Sequence, residues 1–315
     1  MKNPGNKKKE QEILGISNSI RHLKERIIKH PSPNLHTLIN GEEGTGRDYV
    51  AEILYRRFEH SHPIFYKIDT YSLEDELNLL ILKLDKEKKI QKKRGENPTI
   101  DSLCLYLDSI ENMSEKEQNV LYRLLDRGLF LSDKKKEYSF KNIFYLFSSK
   151  PVIANKLKDN SFRPELFRIL ALYKLEIVPL RERREDIPIL VNFFLTEFTK
   201  KYNKSLGKLA DDLAQFLRTY HWPANVAQLK NLLEGMVAIA SKRTLSLKEL
   251  PPGFLSDAPL PGGKLQIVPG ISLFEYEKNI IEINLQFVDG NREKAAKLLG
   301  ISERTLYRKI KDLGL

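Results

Sequence analysis

The sequence predicts an α/β fold, a parallel sheet between two layers of helices, followed by a helical subdomain and a second, all-α domain. Three observations carry this. The apolar run Leu35-His36-Thr37-Leu38-Ile39-Asn40 leads into the octet Gly41-Glu42-Glu43-Gly44-Thr45-Gly46-Arg47-Asp48, after which Val50, Ile53, Leu54 and Phe58 fall at helical spacing. The runs Leu103 to Ile110 and Ile143 to Lys150 are mostly apolar without alternation, as in strands covered on both faces. Beyond residue 180 the pattern is helical, and it closes on a hairpin of helices with Asn291 and Ser302 at the starts and Gly300 at the turn.

The 315 residues fit about two domains, and 41% hydrophobic content is enough for a full-sized core. A net charge of +11, with a pI near 9.4, favours a polyanionic partner, nucleic acid first; a lysine-rich proteome would give the same figure. The one cysteine, Cys104, excludes an intrachain disulfide and fits a reducing, cytoplasmic compartment. No apolar run approaches the roughly 18 residues of a membrane span, so no membrane partner is expected. Residues 1–12 are charged, lack the apolar core of a signal peptide and read as a disordered basic tail.

Strand, glycine-rich turn and helix in succession are the context of a phosphate loop. The glycines let the backbone curl its N–H groups inward, and the helix N-terminus adds partial positive charge. Gly41, Gly44, Thr45, Gly46, Arg47 and Asp48 are therefore candidate nucleotide-binding residues. The spacing follows G-x-x-x-x-G-K-[ST] except at its end, where Arg47 and Asp48 stand. The octet alone also fits an ordinary glycine-rich turn.

The octet resembles the GESGTGKE loop of the NtrC-like AAA+ transcription activators, which work with sigma-54 RNA polymerase. Leu180-Arg181-Glu182-Arg183-Arg184-Glu185-Asp186-Ile187-Pro188 matches that family's LRERREDIP run, and His221-Trp222-Pro223-Ala224-Asn225-Val226-Ala227-Gln228-Leu229 resembles its WPGNVREL segment. With the C-terminal end, the resemblance covers nearly all the chain from about Ile13. It implies an AAA+ P-loop three-layer αβα domain over 13–180, a helical lid over 181–252, a linker over 253–270 and a Fis-type helix-turn-helix domain over 271–315. It also implies RNA polymerase as a partner and a higher oligomer through the AAA+ domain.

In order along the chain, Ile13 to Lys29 reads as an amphipathic helix with Ile20, Leu23, Ile27 and Ile28 on one face; in the family it packs beside the nucleotide. No receiver domain is expected ahead of it. Ile64 to Asp69 reads as a strand. The family carries its GAFTGA loop, which touches sigma-54, after this strand. Here Lys83 to Gly95 is a basic run with no such resemblance. It reads first as a solvated loop, and alternatively as a surface for nucleic acid or an acidic partner. The strand Leu103 to Ile110 resembles the Walker B strand, whose Asp108 would hold the water shell of Mg2+ once a nucleotide is bound. The residue that polarises water in the family is Glu; here it is Ser109, whose hydroxyl has no useful basicity. Met113 to Leu125 reads as a helix with Val120, Leu121, Leu124 and Leu125 inward.

Lys150 stands where the family's Asn senses the γ-phosphate. Phe162 to Leu170 aligns with FRxDLxxRL; Arg163 is kept, while the second arginine position is Ile169, with Arg168 one place early. In the family these arginines reach a neighbour's γ-phosphate, so Arg163 joins Asp108 among the candidate nucleotide residues. Ala227 replaces the lid's sensor arginine. Five catalytic or sensing positions have changed, Arg47, Ser109, Lys150, Ile169 and Ala227, while the scaffold between them persists. The pattern reads as a motor lost and a fold retained. Arg47 keeps its charge, but a guanidinium is bulkier than an ammonium. Weak binding of ATP or another nucleotide stays open. The rival reading is an ATP-dependent sigma-54 activator with divergent motifs.

Glu185 to Tyr202 and Ala210 to Ala240 read as the lid, and the Pro- and Gly-rich stretch Pro251 to Gly270 as the linker. Leu273 to Phe287 reads as a helix with Leu273, Tyr276, Ile280, Ile283, Leu285 and Phe287 apolar. That is too much to stand alone, so a homodimer through this domain is expected. Asn291 and Ser302 cap the next two helices, Ala295 and Ala296 allow close approach, and Ile301, Leu306 and Ile310 face the core. This resembles the Fis-type helix-turn-helix, which makes double-stranded DNA the partner. Asn291, Arg292, Ser302, Glu303, Arg304, Thr305, Tyr307, Arg308 and Lys309 are the candidate DNA-binding residues. Arg304 is assigned to a base edge, Arg308 and Lys309 to phosphate.

Overall fold

The structure, a computed structural model, describes residues 13–33, 35–92, 95–206, 208–240, 243–251, 254, 273–288 and 290–313. The expected tail over 1–12 and linker over 253–270, Phe254 apart, lie outside the described residues. Among the described residues ten strands form three sheets: β1 (Thr37–Gly41), β2 (Ile64–Asp69), β3 (Thr99–Asp101), β4 (Leu103–Asp108), β5 (Leu129–Leu131), β6 (Glu137–Lys141), β7 (Phe144–Ser149), β8 (Tyr173–Ile177), and the short parallel pair β9 (Lys208–Leu209) and β10 (Thr244–Leu245) in the lid. The main sheet is parallel, in the order β2-β4-β7-β1-β8; β3, β6 and β5 form a small second sheet. Every residue of β7 is buried, as is β4 from Leu103 to Leu107, which is why neither strand alternates in sequence. The period of two then divides their side chains between layers. Leu105, Leu107 and Phe147 pack with α3 (Leu73–Lys86) and α4 (Glu115–Arg127); Cys104, Tyr106, Phe144 and Leu146 pack with α1 (Asn18–Ile28) and α2 (Arg47–Phe58).

Register brings Asp69 level with Asp108, and Asn40 level with Ser149, so the strand ends share one edge. The phosphate-loop octet leaves that edge from β1, an inner strand between β7 and β8, at the C-terminal strand ends where ligands of open α/β sheets bind. α1 starts at Asn18, later than expected, because Ser17 caps it, accepting from the Ile20 amide at 3.3 Å. Ile28 is 63% exposed and does not share the buried face of Ile20, Leu23 and Ile27. The basic run is not one loop: Lys83 to Lys86 finish α3 with Leu84 buried, Ile90 is buried, and Gln91 bridges backbone to Thr99. Lys93 and Arg94 lie outside the described residues.

After α5 (Ile153–Lys158) and α6 (Pro164–Leu170) the lid holds α7 (Ile187–Lys201), α8 (Asp211–Thr219) and α9 (Asn225–Ile239). The lid stretch over Ala210 to Ala240 is two helices. Trp222, at φ +50° and followed by Pro223, breaks it; the indole is fully buried and its N–H donates to Leu217 O at 2.9 Å. The C-terminal domain is α10 (Leu273–Phe287), α11 (Arg292–Leu299) and α12 (Glu303–Leu313) around Ile281, Val288, Ala295, Ala296, Leu306, Ile310 and Leu313. In α10 Ile281 is buried, whereas Ile280 is 37% and Phe274 55% exposed. No helix among the described residues is long and apolar enough to cross a membrane.

Candidate functional site

The octet turns sharply at Gly44 and Gly46, both at positive φ, so that α2 begins at Arg47. A Cβ on Gly44 would lie 2.1 Å from Ala224 O, so no other residue fits there without moving the lid. The lid in turn grips the loop. The Ala227 amide donates to Gly44 O at 3.1 Å, and Asn225 Nδ2 donates to Glu43 O at 2.9 Å while its Oδ1 accepts from the Leu180 amide at 2.8 Å. Arg181 forks onto both oxygens of Glu42 at 2.6 Å. Asp186, fully buried, accepts from the amides of Ile16 and Ser17 at 2.6 and 2.8 Å and from the Ser17 hydroxyl at 2.7 Å. The Leu180 to Asp186 turn thereby joins phosphate loop, α1 and lid.

Two cavities meet across Gly46, Val226 and Lys230. One, about 670 Å³, is largely apolar, with Ile13, Leu14, Leu23, Tyr49, Val50 and Phe194 in its wall. The other, about 470 Å³, is charged, walled by Glu43, Arg47, Asp48, Asp108, Ser109 and Lys150. An apolar ring system and an anionic group joined to it would fit this pair.

Every carboxylate facing the charged chamber is tied to a cation. Glu43 Oε2 accepts from Lys150 Nζ at 2.8 Å, a bond that holds its carboxyl below the usual range. Lys67 Nζ sits between Asp48 Oδ2 at 2.6 Å and Asp108 Oδ2 at 3.0 Å. Burial works against the charge on Asp108, but hydrogen bonds from Ser148 and Lys67 prevail and keep its carboxyl low; burial likewise opposes the Lys67 ammonium, and the same carboxylates hold it high. Arg47 is buried, with Nη2 4.0 Å from Asp108 Oδ1; its Nη1 finds no acceptor among the described residues. The remaining oxygens are also engaged, Asp48 Oδ1 by Tyr106 OH at 2.7 Å and Asp108 Oδ1 by the Ser148 hydroxyl at 2.5 Å. Mg2+ takes oxygen ligands at about 2.0–2.1 Å. With all four carboxylate oxygens hydrogen-bonded and an ammonium between them, the pair leaves no open position for direct ligation of the ion.

Of the candidate nucleotide residues, the structure brings Gly44, Gly46, Arg47, Asp48 and Asp108 to the charged chamber, with Thr45 in the apolar wall and Gly41 beneath at the end of β1. Arg163 lines neither cavity: its Nη1 donates to Asn119 Oδ1 at 2.6 Å and its guanidinium lies over Tyr122. Sequence reasoning missed Lys67 and Lys230. Lys67 is one lysine among many in a strand, level with Tyr106 only through β2–β4 register. Lys230 was legible: it follows Ala227 by three residues on α9 and so shares its face.

In the C-terminal domain Asn291 accepts from the Lys294 amide at 3.0 Å and Ser302 from the Thr305 amide at 3.1 Å, as caps. Arg292, Glu303, Arg304, Tyr307 and Arg308 are exposed, and the Arg292 guanidinium lies 4.6 Å over the Tyr307 ring. Two residues expected to point outward do not. Thr305 is half-buried with its hydroxyl on Ser302, and Lys309 is half-buried in an ion pair with Glu277 of α10.

Comparison with known proteins gives three family matches: sigma-54 interaction domain over 13–177, AAA+ ATPase lid domain over 181–262, and bacterial regulatory protein, Fis family, over 272–313. The chain is 27% identical over 315 residues to the phenol regulator MopR of Acinetobacter guillouiae, covering 96% of this chain and 56% of that protein. It is 27% identical over 304 residues to the transcriptional regulatory protein ZraR of Escherichia coli K12, covering 95% and 68%. In fold it is similar to NtrX from Brucella abortus in complex with ATP, with a TM-score of 0.67 at 21% identity over 96% of this chain and 70% of that one.

Proposed function

Because the chain belongs to the sigma-54 interaction domain family of transcriptional regulators, with a Fis-family helix-turn-helix, we propose that it is a sequence-specific DNA-binding regulator whose AAA+ domain holds a nucleotide without hydrolysing it. Ser109 carries the second half of this reading. It follows Asp108 where the family has a carboxylate, and its hydroxyl only reaches Asp108 Oδ1, at 3.2 Å. A general base needs a free, suitably basic group. Glu43, Asp48 and Asp108 are each neutralised by a cation, and the carboxyls of Glu43 and Asp108 are held low. The paired apolar and charged cavities support nucleotide binding, as does the ATP complex of NtrX.

The regulator acts in the cytoplasm, through occupancy, oligomerisation or a polymerase contact other than the GAFTGA loop, in whose place the basic end of α3 stands. The test is calorimetric ATP binding beside a turnover assay and sigma-54 transcription on the full chain. Binding with background turnover and no stimulation is expected, and Ser109→Glu alone should not rescue transcription. Turnover near roughly one per second, lost in Asp108→Ala, would instead establish a working ATPase.

A further inference from the structure

We propose that Lys67 is a tethered substitute for a divalent cation, so that an anion in the charged chamber binds without metal and removing the lysine side chain turns the Asp48–Asp108 pair into a metal site. The anion half rests on reading the chamber as a nucleotide site; the metal half stands without it.

The placement is built by the fold. Lys67 lies opposite Tyr106 in the β2–β4 register, two residues before the strand ends. Its ammonium lies over the Tyr106 ring, with Nζ 5.4 Å from the centroid, and meets Asp48 and Asp108 at 2.6 and 3.0 Å. Those carboxylates come from different elements, the start of α2 and the end of β4. Converging them on one point is what a metal site requires, and the point is held by nitrogen.

Charge leads to the same result. Two carboxylates, one ammonium and the Arg47 guanidinium 4.0 Å from Asp108 sum to zero. A dication arriving there would meet two fixed positive groups and no free oxygen. An ammonium has three donors, and two are used here. Lys67 itself lies outside the chamber wall; with the two carboxylates neutralised from behind, Arg47, Lys150 and Lys230 in that wall supply the positive charge for an anion that a bound metal would otherwise neutralise.

The full chain, free of nucleotide, is titrated with Mn2+ while free Mn2+ is followed by electron paramagnetic resonance. ATP binding is measured by calorimetry in EDTA and in Mg2+. The wild type should take up no stoichiometric Mn2+ and bind ATP within about twofold in both buffers. Lys67→Ala and Lys67→Met, checked for native melting, should each gain one Mn2+ site that Asp108→Asn removes again. Their ATP affinity should fall about tenfold in EDTA and return with Mg2+. The inference is overturned if wild-type Mn2+ uptake is stoichiometric and lost in Asp108→Asn, if EDTA weakens wild-type ATP binding about tenfold, or if the folded variants gain no Mn2+ site. Should ATP bind under no condition, the nucleotide reading falls and the Mn2+ arms still decide the role of Lys67.

Discussion

A guanidinium at position 47 and an alanine at 227 redistribute the charge of the phosphate loop. The cation removed from 227 returns one turn along α9 as Lys230, which lines both cavities. Arg47 holds one arm toward Asp108 and leaves Nη1 without an acceptor in a buried position, a donor that costs stability until an anion meets it. Arg47→Ala should therefore weaken nucleotide binding by about 1.5–3 kcal/mol in calorimetry, the worth of a hydrogen bond to a charged group. On the DNA side, Arg304→Ala should cost ~1–3 kcal/mol at the specific site, while Arg308→Ala should weaken all sequences alike and lower the salt slope by about one. Lys309→Ala should leave that slope nearly unchanged, because its ammonium is engaged by Glu277. His30 predicts a pH effect. It is buried among the edges of Phe58, Phe144 and Tyr173, with Nε2 2.6 Å from Thr37 Oγ1, and burial, with the Arg57 charge second, pushes its pKa down from 6.5 to about 4. Between those values the unfolded chain binds a proton that the folded chain refuses. Stability is full above pH 6.5 and is lost as pH falls toward about 4, which a series of melting temperatures across that window checks.

At the scale of elements, β4 and β7 were legible because burial on both faces writes an uninterrupted apolar run. The helix caps Asn291 and Ser302 were legible for a similar reason: a short polar side chain before a periodic run has few other uses. What the sequence hid is long-range. Lys67 reaches Asp48 and Asp108 only through strand register, and the Arg163 bond to Asn119 depends on α4 lying beside it. The tightest junction between elements is Gly44 against Ala224. Gly44→Ala should force lid and loop apart, and limited proteolysis should then cut the lid faster and nucleotide protection should vanish.

For the whole molecule, Phe274 and Ile280, exposed among the described side chains of α10, are apolar surface that a second copy would cover. A fragment spanning 264–315 should sediment as a dimer, and a chain ending at Gly270 should lose specific DNA binding; a monomeric fragment at high micromolar concentration would count against the dimer. The turn around Asp186 reaches further still. Gly15, at φ +144°, leaves no room for a Cβ, which would fall 2.8 Å from Asp186 Cγ, and the next two amides are pinned to the same carboxylate. Ile13 and Leu14, just ahead of this pin, form part of the apolar cavity wall. In mechanical terms the segment is a short lever on a fixed fulcrum. A ligand that fills the cavity therefore bears on two residues anchored, through the Ile16 and Ser17 amides, to the same carboxylate that braces the lid turn.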